Sequence, residues 1–231
     1  MILPVQPPRL SNSPGTAFPP HSQLRASSDA EKAIYHGSKL LDEKLNVARF
    51  LLHPEWLDNT LECVRFRVSG MVYKYLRIYE PVFARKGISA KRLGDSWTEV
   101  VANPKAVSVI AHTFLDNAAK YSPHSGEVKV TIDDVPSGVY FEVGSYGPRV
   151  LPEESERIFA PFYRGKAAQR AVEEGAGYGL YVSQLIASRH LGAEIEFRQS
   201  GTNVAKLGHW TAFSITVPHR ALIIKNSDSK Q

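Results

Sequence analysis

Residues 158–192, IFAPFYRGKAAQRAVEEGAGYGLYVSQLIASRHLG, decide how the rest of the chain is read. Gly175, Gly177 and Gly179 lead straight into a helical pattern spanning about 177–191, and Gly192 stands where a helix commonly ends in a left-handed residue. Bare backbone N–H groups at such an entrance suit an anion, and the absent side chains let a phosphate come close. Two familiar phosphate motifs are excluded. No strand immediately precedes the glycines, as a dinucleotide-binding turn requires, and no Lys-Ser/Thr pair follows them, as a Walker A loop requires. Upstream, residues 163–176 are polar and basic, with Arg164, Lys166 and Arg170, and read as a mobile lid hinged at Gly165 and Gly175. Alone, the segment fits a solvated loop before a helix equally well.

Two further segments precede it. In HTFLDNAAKYSP (112–123), Thr113, Asp116, Asn117 and Lys120 stand three, four and seven residues apart, so they share one face of a helix, with Phe114, Leu115 and Ala118 packing behind. A carboxamide oxygen is a hard ligand suited to Mg²⁺, and a lysine one turn later can meet a phosphate. An ordinary amphipathic helix would carry the same residues. In VGSYGPRV (143–150), Gly147 and Pro148 permit a tight turn and close approach of a flat ligand to the backbone. A plain strand-to-helix turn explains it as well.

Around these segments the pattern alternates between elements. Residues 29–52 predict a helix with Ile34, Leu41, Leu45, Ala48 and Leu52 on one stripe, Asp29 at its start and His53-Pro54 closing it. The stripe packs either on the main domain or on a second copy. LECVRFRV (61–68), ISAKRL (88–93) and SWTEVVA (96–102) read as strands, and 71–87 as a helix ended by Gly87. PKAVSVIAHTFLDNAAKYS (104–122) is a helix with Pro104 in its first turn. GEVKVTID and GVYFEVGS alternate as an antiparallel hairpin about Pro136-Ser137-Gly138, and AEIEFRQS and HWTAFSITVP complete the sheet. The expected class is α+β: a two-layer sandwich of a mixed, mostly antiparallel sheet with helices on one face, preceded by a helix. The expected divisions are a disordered Pro/Ser-rich tail (1–28), a helical segment (29–60), the main domain (61–218) and a C-terminal tail (219–231).

Composition narrows the class further. Of 231 residues, 43% are hydrophobic and 22% charged, enough for a real core, and the net charge of +5 is compatible with an anionic ligand. No block of Lys and Arg suggests a nucleic-acid arm. Cys63 is the only cysteine, in keeping with a reducing compartment. No apolar run reaches the roughly 18–20 residues that span a bilayer, and no basic-then-apolar leader opens the chain, so the expected location is the cytoplasm.

In order, the three segments resemble the conserved boxes of the catalytic ATP-binding domain of sensor histidine kinases, within the superfamily of Hsp90, MutL and gyrase B. FLDNAAKYSP looks like the N box, SYGPRV stands at the G1 position, IFAPFYRG is similar to the F box, and GAGYGLYVSQLIASRHLG to the G2 box and its helix. The likeness covers about 65–218 and implies a Bergerat-type fold binding ATP and Mg²⁺. It implies that Asn117 coordinates the metal and Lys120 touches a phosphate, the two catalytic candidates. It places Thr113 and Tyr121 near the nucleotide, Ser145 and Gly147 at the adenine, Phe159 and Phe162 as lid anchors, Arg164 toward the phosphates, and Gly175, Gly177, Gly179 and Leu180 at the phosphate-side turn.

Three positions depart from the family pattern. Ser145 stands where the family has an Asp for the adenine amino group, Arg149 replaces a G1 glycine, and Thr113 replaces the first N-box Asn. No histidine fits the phosphoacceptor pattern: Gly37 follows His36, Pro54 follows His53, and His112 lies on the N-box helix. The implied activity is phosphoryl transfer to a histidine on another chain, with a phosphoacceptor protein or response regulator as partner and a homodimer contact through residues 31–57. The alternatives are a catalytically weak or inactive kinase-like scaffold, and an Hsp90/MutL-like ATPase. The latter is disfavoured because Thr113 occupies the place of the water-activating Glu.

Overall fold

The computed structural model describes residues 29–59, 61–173 and 175–222; the tail expected at 1–28 and all but 219–222 of the tail expected at 219–231 lie outside them. The chain divides into two compact units, 1–35 and 36–231, and the first contributes only the opening of helix α1 to the described residues. α1 runs Asp29–Leu52 and a single turn, α2, follows at Trp56–Asn59. Then come β1 (Val64–Arg67), α3 (Val68–Arg85), β2 (Ser89–Leu93), β3 (Glu99–Ala102) and α4 (Pro104–Tyr121). The hairpin β4 (Glu127–Val135) and β5 (Gly138–Gly147) is followed by the short α5 (Lys166–Ala171), α6 (Gly179–Leu185), β6 (Glu196–Val204) and β7 (Gly208–Pro218).

The architecture is α+β, as the patterning predicts. Five strands form a sheet in the order β2-β4-β5-β7-β6, parallel only between β2 and β4. One expectation changes: β1 and β3 do not join this sheet but pair with each other as an antiparallel ribbon. Their other edge is met by the chain leaving β7. Val101 N–H donates to His219 O and Val101 O accepts from Ala221 N–H, both at 2.8 Å.

Alternation sets the inner face of the sheet. Val128, Val130 and Ile132 on β4 and Val139, Phe141 and Val143 on β5 are buried, while Lys129, Thr131 and Glu142 face outward. Phe114 of α4 meets Phe141 at 5.4 Å and Phe213 at 5.7 Å between ring centroids. Each such buried aromatic contributes about 1.5–3 kcal/mol.

α4 is the buried helix, with Ala106 through Leu115 all shielded from solvent. Both its ends are clamped. Asn103 caps the start: its Oδ1 accepts from Ala106 N–H at 3.0 Å, its Nδ2 donates to Glu62 O, and its own N–H donates to His190 Nε2 at 3.0 Å. At the far end Lys86 Nζ donates to the carbonyls of Ala119, Lys120 and Ser122 at 2.7–3.1 Å. The helix from α6 widens into a π-helical turn at Ile186–Leu191, which carries His190 to Asn103, and Gly192 ends it with φ 63°.

Of the two packings open to the α1 stripe, that against the main domain is not the one adopted. The Leu41, Leu45 and Leu52 stripe stands exposed, and Glu43, Val47 and Phe50 are buried instead. Glu43 is sealed in because the Tyr75 and Ser108 hydroxyls both donate to its carboxylate.

Two predictions follow from these contacts. Lys86→Met strips three carbonyls of their donor and should lower unfolding stability by about 1–3 kcal/mol in urea titration. The second concerns pH. Burial pushes His112 down from 6.5 to about 4, so it is neutral in the folded chain at neutral pH; burial lowers His190 as well. Between those values the unfolded chain binds more protons. The stability His112 contributes is therefore complete above about pH 6.5 and is lost as pH falls toward 4, by about 3 kcal/mol. His112→Gln, which still offers Tyr79 a partner, should flatten that decline in denaturation scans across pH 4–7.

Candidate functional site

A cavity of about 370 Å³ opens between α4, the strand ends of β5 and β7, and the segment 148–180. α4 supplies Thr113, Asn117, Lys120 and Tyr121; β5 supplies Ser145 and Gly147; the covering segment supplies Arg164, Gly175, Gly177, Gly179 and Leu180. Every nucleotide-site residue expected from the sequence thus borders a single cavity.

Two of them carry unsatisfied groups. Thr113 Oγ1 and Asn117 Nδ2 are buried without a hydrogen-bond partner, so neither side chain is claimed by the framework. Gly179 presses α6 onto this face, since a methyl group there would stand 3.2 Å from Thr113 Cγ2. Gly177 has φ 70°, and a Cβ would meet the Phe162 carbonyl carbon and Tyr163 oxygen at 2.8 Å; only glycine lets the two arms of the loop cross there.

Lys120 is paired with Asp116, and Asp116 Oδ1 lies 3.5 Å from the Tyr79 hydroxyl, which also bonds His112 Nδ1 at 2.8 Å. Among the described lining residues the basic side chains are Lys44, Lys120, Arg149 and Arg164, against the single carboxylate of Asp116. The field is therefore positive and favours an anionic ligand.

The covering segment is ordered by its own contacts. Arg164 does not extend freely: its guanidinium donates to the carbonyls of Ala168, Val172 and Glu173, folding back over α5. Phe159 anchors the base edge-on against Phe213, at 87° and 6.5 Å. Phe162, paired with it in expectation, is 68% exposed with φ 60° and anchors nothing through its ring. The tie that the sequence did not advertise is Glu154. It is buried and accepts from Leu151 N–H, Lys166 N–H and the Tyr163 hydroxyl, and these bonds, the Leu151 one first, hold its carboxyl below the usual range. A Glu three residues after Leu151 in a short polar run was the available signal.

Lys44 and Val47 of α1 also border the cavity, outside every recognised motif. Among the described residues no group of three or more His, Cys, Asp or Glu side chains converges to hold a metal. No helix among them is long and apolar enough to cross a membrane.

Comparison with known proteins places this geometry. Residues 102–221, just over half of the chain, match the family described as histidine kinase-, DNA gyrase B- and HSP90-like ATPase. The sensor protein SrrB of Staphylococcus aureus is 23% identical over 188 residues; the match takes in 78% of this chain but spans only 29% of SrrB. Among solved structures, the catalytic domain of histidine kinase ThkA superposes with a TM-score of 0.59 at 20% identity, over 69% of this chain and 97% of that one. ThkA in complex with response regulator TrrA gives 0.56 at 18% identity, over 85% and 54%. Full-length ShkA in complex with AMPPNP gives 0.60 at 21% identity, over 85% and 40%. The fold, the ordered motifs and the matched profile agree: this chain belongs to the histidine kinase-, DNA gyrase B- and HSP90-like ATPase family, with a histidine-kinase type of ATP-binding domain.

Proposed function

We propose that the chain binds ATP with Mg²⁺ in this cavity and, as part of two-component signalling in the cytoplasm, passes the γ-phosphoryl group to a histidine of another chain. The observation that carries the reading is the convergence of an unclaimed carboxamide and hydroxyl, Asn117 and Thr113, with the glycine-lined turn at 177–179. One carboxamide cannot hold a metal by itself, but with phosphate oxygens and water it completes the oxygen shell Mg²⁺ prefers. When bound, the metal would neutralise charge on the phosphates. Lys120 would exchange Asp116 for a phosphate, the backbone N–H groups of Gly175, Gly177, Gly179 and Leu180 would cradle the chain of phosphates, and Tyr121, Ser145 and Gly147 would surround the base. Catalysis on this reading is positioning and charge neutralisation. Arg164 would have to leave its lid carbonyls to reach a phosphate.

The ThkA–TrrA complex supports a response regulator as the class of partner. His112 is buried against Tyr79, which removes it as an acceptor. The exposed Leu41, Leu45 and Leu52 stripe supports pairing of α1 with a second copy. A scaffold without catalysis is the second reading, favoured by the occupied state of Lys120 and Arg164 and by the uncharged Ser145.

Calorimetry with ATP, with and without Mg²⁺, tests the first reading. Asn117→Ala should weaken the Mg²⁺-dependent affinity on the order of 10–100-fold, whereas absence of binding to the wild type at millimolar nucleotide would leave only the scaffold. Labelled ATP should leave the chain itself unmarked and, when a partner carrying the phosphoacceptor histidine is added, should mark that partner. Leu41→Glu with Leu45→Glu should shift any dimer to monomer in sedimentation.

A further inference from the structure

Resting on the assignment of the cavity to a purine nucleotide, we infer that this site accepts guanine as well as adenine, and that Ser145 is the residue that sets the tolerance. The cavity's apolar lining, which includes Ala118, Val143, Ile158 and Phe213, suits a flat base. Ser145 of β5 and Thr211 of β7 are cross-strand partners there, so they supply the polar side chains that meet the edge of a base. Thr211 Oγ1 is already engaged, accepting from Gln199 Nε2 at 2.7 Å and facing His209 O at 3.4 Å. Ser145 is buried, and among the described residues no protein group bonds its hydroxyl.

A hydroxyl carries one O–H donor and two lone pairs, and it rotates to suit its partner. It accepts from the exocyclic amine of adenine, and it donates to the carbonyl that guanine carries in the same place. A carboxylate at this position would only accept, and would repel that carbonyl. Strong discrimination arises when the wrong ligand leaves a buried polar group unpaired. With Ser145 neither base leaves the hydroxyl itself unpaired. Asp116, the one carboxylate among the described lining residues, is on α4 and is held by Lys120.

The test is calorimetric titration of the full chain with ATP and with GTP, both with Mg²⁺, for the wild type, Ser145→Asp and Ser145→Ala. The wild-type dissociation constants should lie within about tenfold of each other, the range of one ordinary hydrogen bond. Ser145→Asp should tighten ATP and weaken GTP, opening their ratio to about 100-fold or more. Ser145→Ala should weaken both together. A wild-type preference for ATP beyond about 100-fold overturns the inference, as does a Ser145→Asp variant that moves both nucleotides in one direction. Should Ser145→Asp fail to fold, the wild-type ratio decides alone. If neither nucleotide binds, it is the proposed function that has failed, and this inference falls with it.

Discussion

The site depends on holding one helix still. α4 is buried along most of its length, and a buried helix would leave end groups unsatisfied unless other parts of the chain reached them. Asn103 satisfies the start and at the same time ties it to Glu62 and His190, so three distant segments meet at one residue. Lys86 closes the other end from α3. With both ends fixed, the face bearing Thr113, Asn117 and Lys120 has no freedom to roll away from the sheet. That permits a polar face to stay open toward a cavity while the reverse face is packed against Phe141 and Phe213.

The covering segment obeys the opposite logic. Its bonds are mostly internal: Arg164 to the carbonyls of α5, Glu154 to the backbone at 151 and 166, and Arg157 over the Tyr163 ring at 4.6 Å. Few of them involve α4. A loop organised in this way is a small preformed unit able to shift as one piece, rather than a strand of independent residues.

Much of this was legible beforehand, and the misses share a cause. The helices at 29–52 and 104–121 and the hairpin at 127–147 were readable because period and turn chemistry agreed. The cavity residues were readable because glycines and a helical 113/117/120 spacing survive translation into space. The buried face of α1 was not, because its central residue is a glutamate. Glu43 belongs inside only once Tyr75 and Ser108, more than thirty and sixty residues away, present their hydroxyls, and no local pattern records that. Lys44 and Val47 were missed for the same reason. The separation of β1 and β3 from the main sheet was hidden likewise, since pairing partners lie far apart in sequence. Arg164 could be assigned to the lid but not its contacts, because a guanidinium takes whichever carbonyls surround it.

One result of the way α1 sits reaches beyond its packing. α1 carries Lys44 and Val47 on the cavity wall, while Leu41, Leu45 and Leu52 look outward. Successive residues of an α-helix are about 100° apart, so turning the rod by even a single position would withdraw one set and present the other. Whatever grips the leucines therefore also grips the rim of the chamber. The two events share a shaft, and neither can be adjusted without being felt at the other.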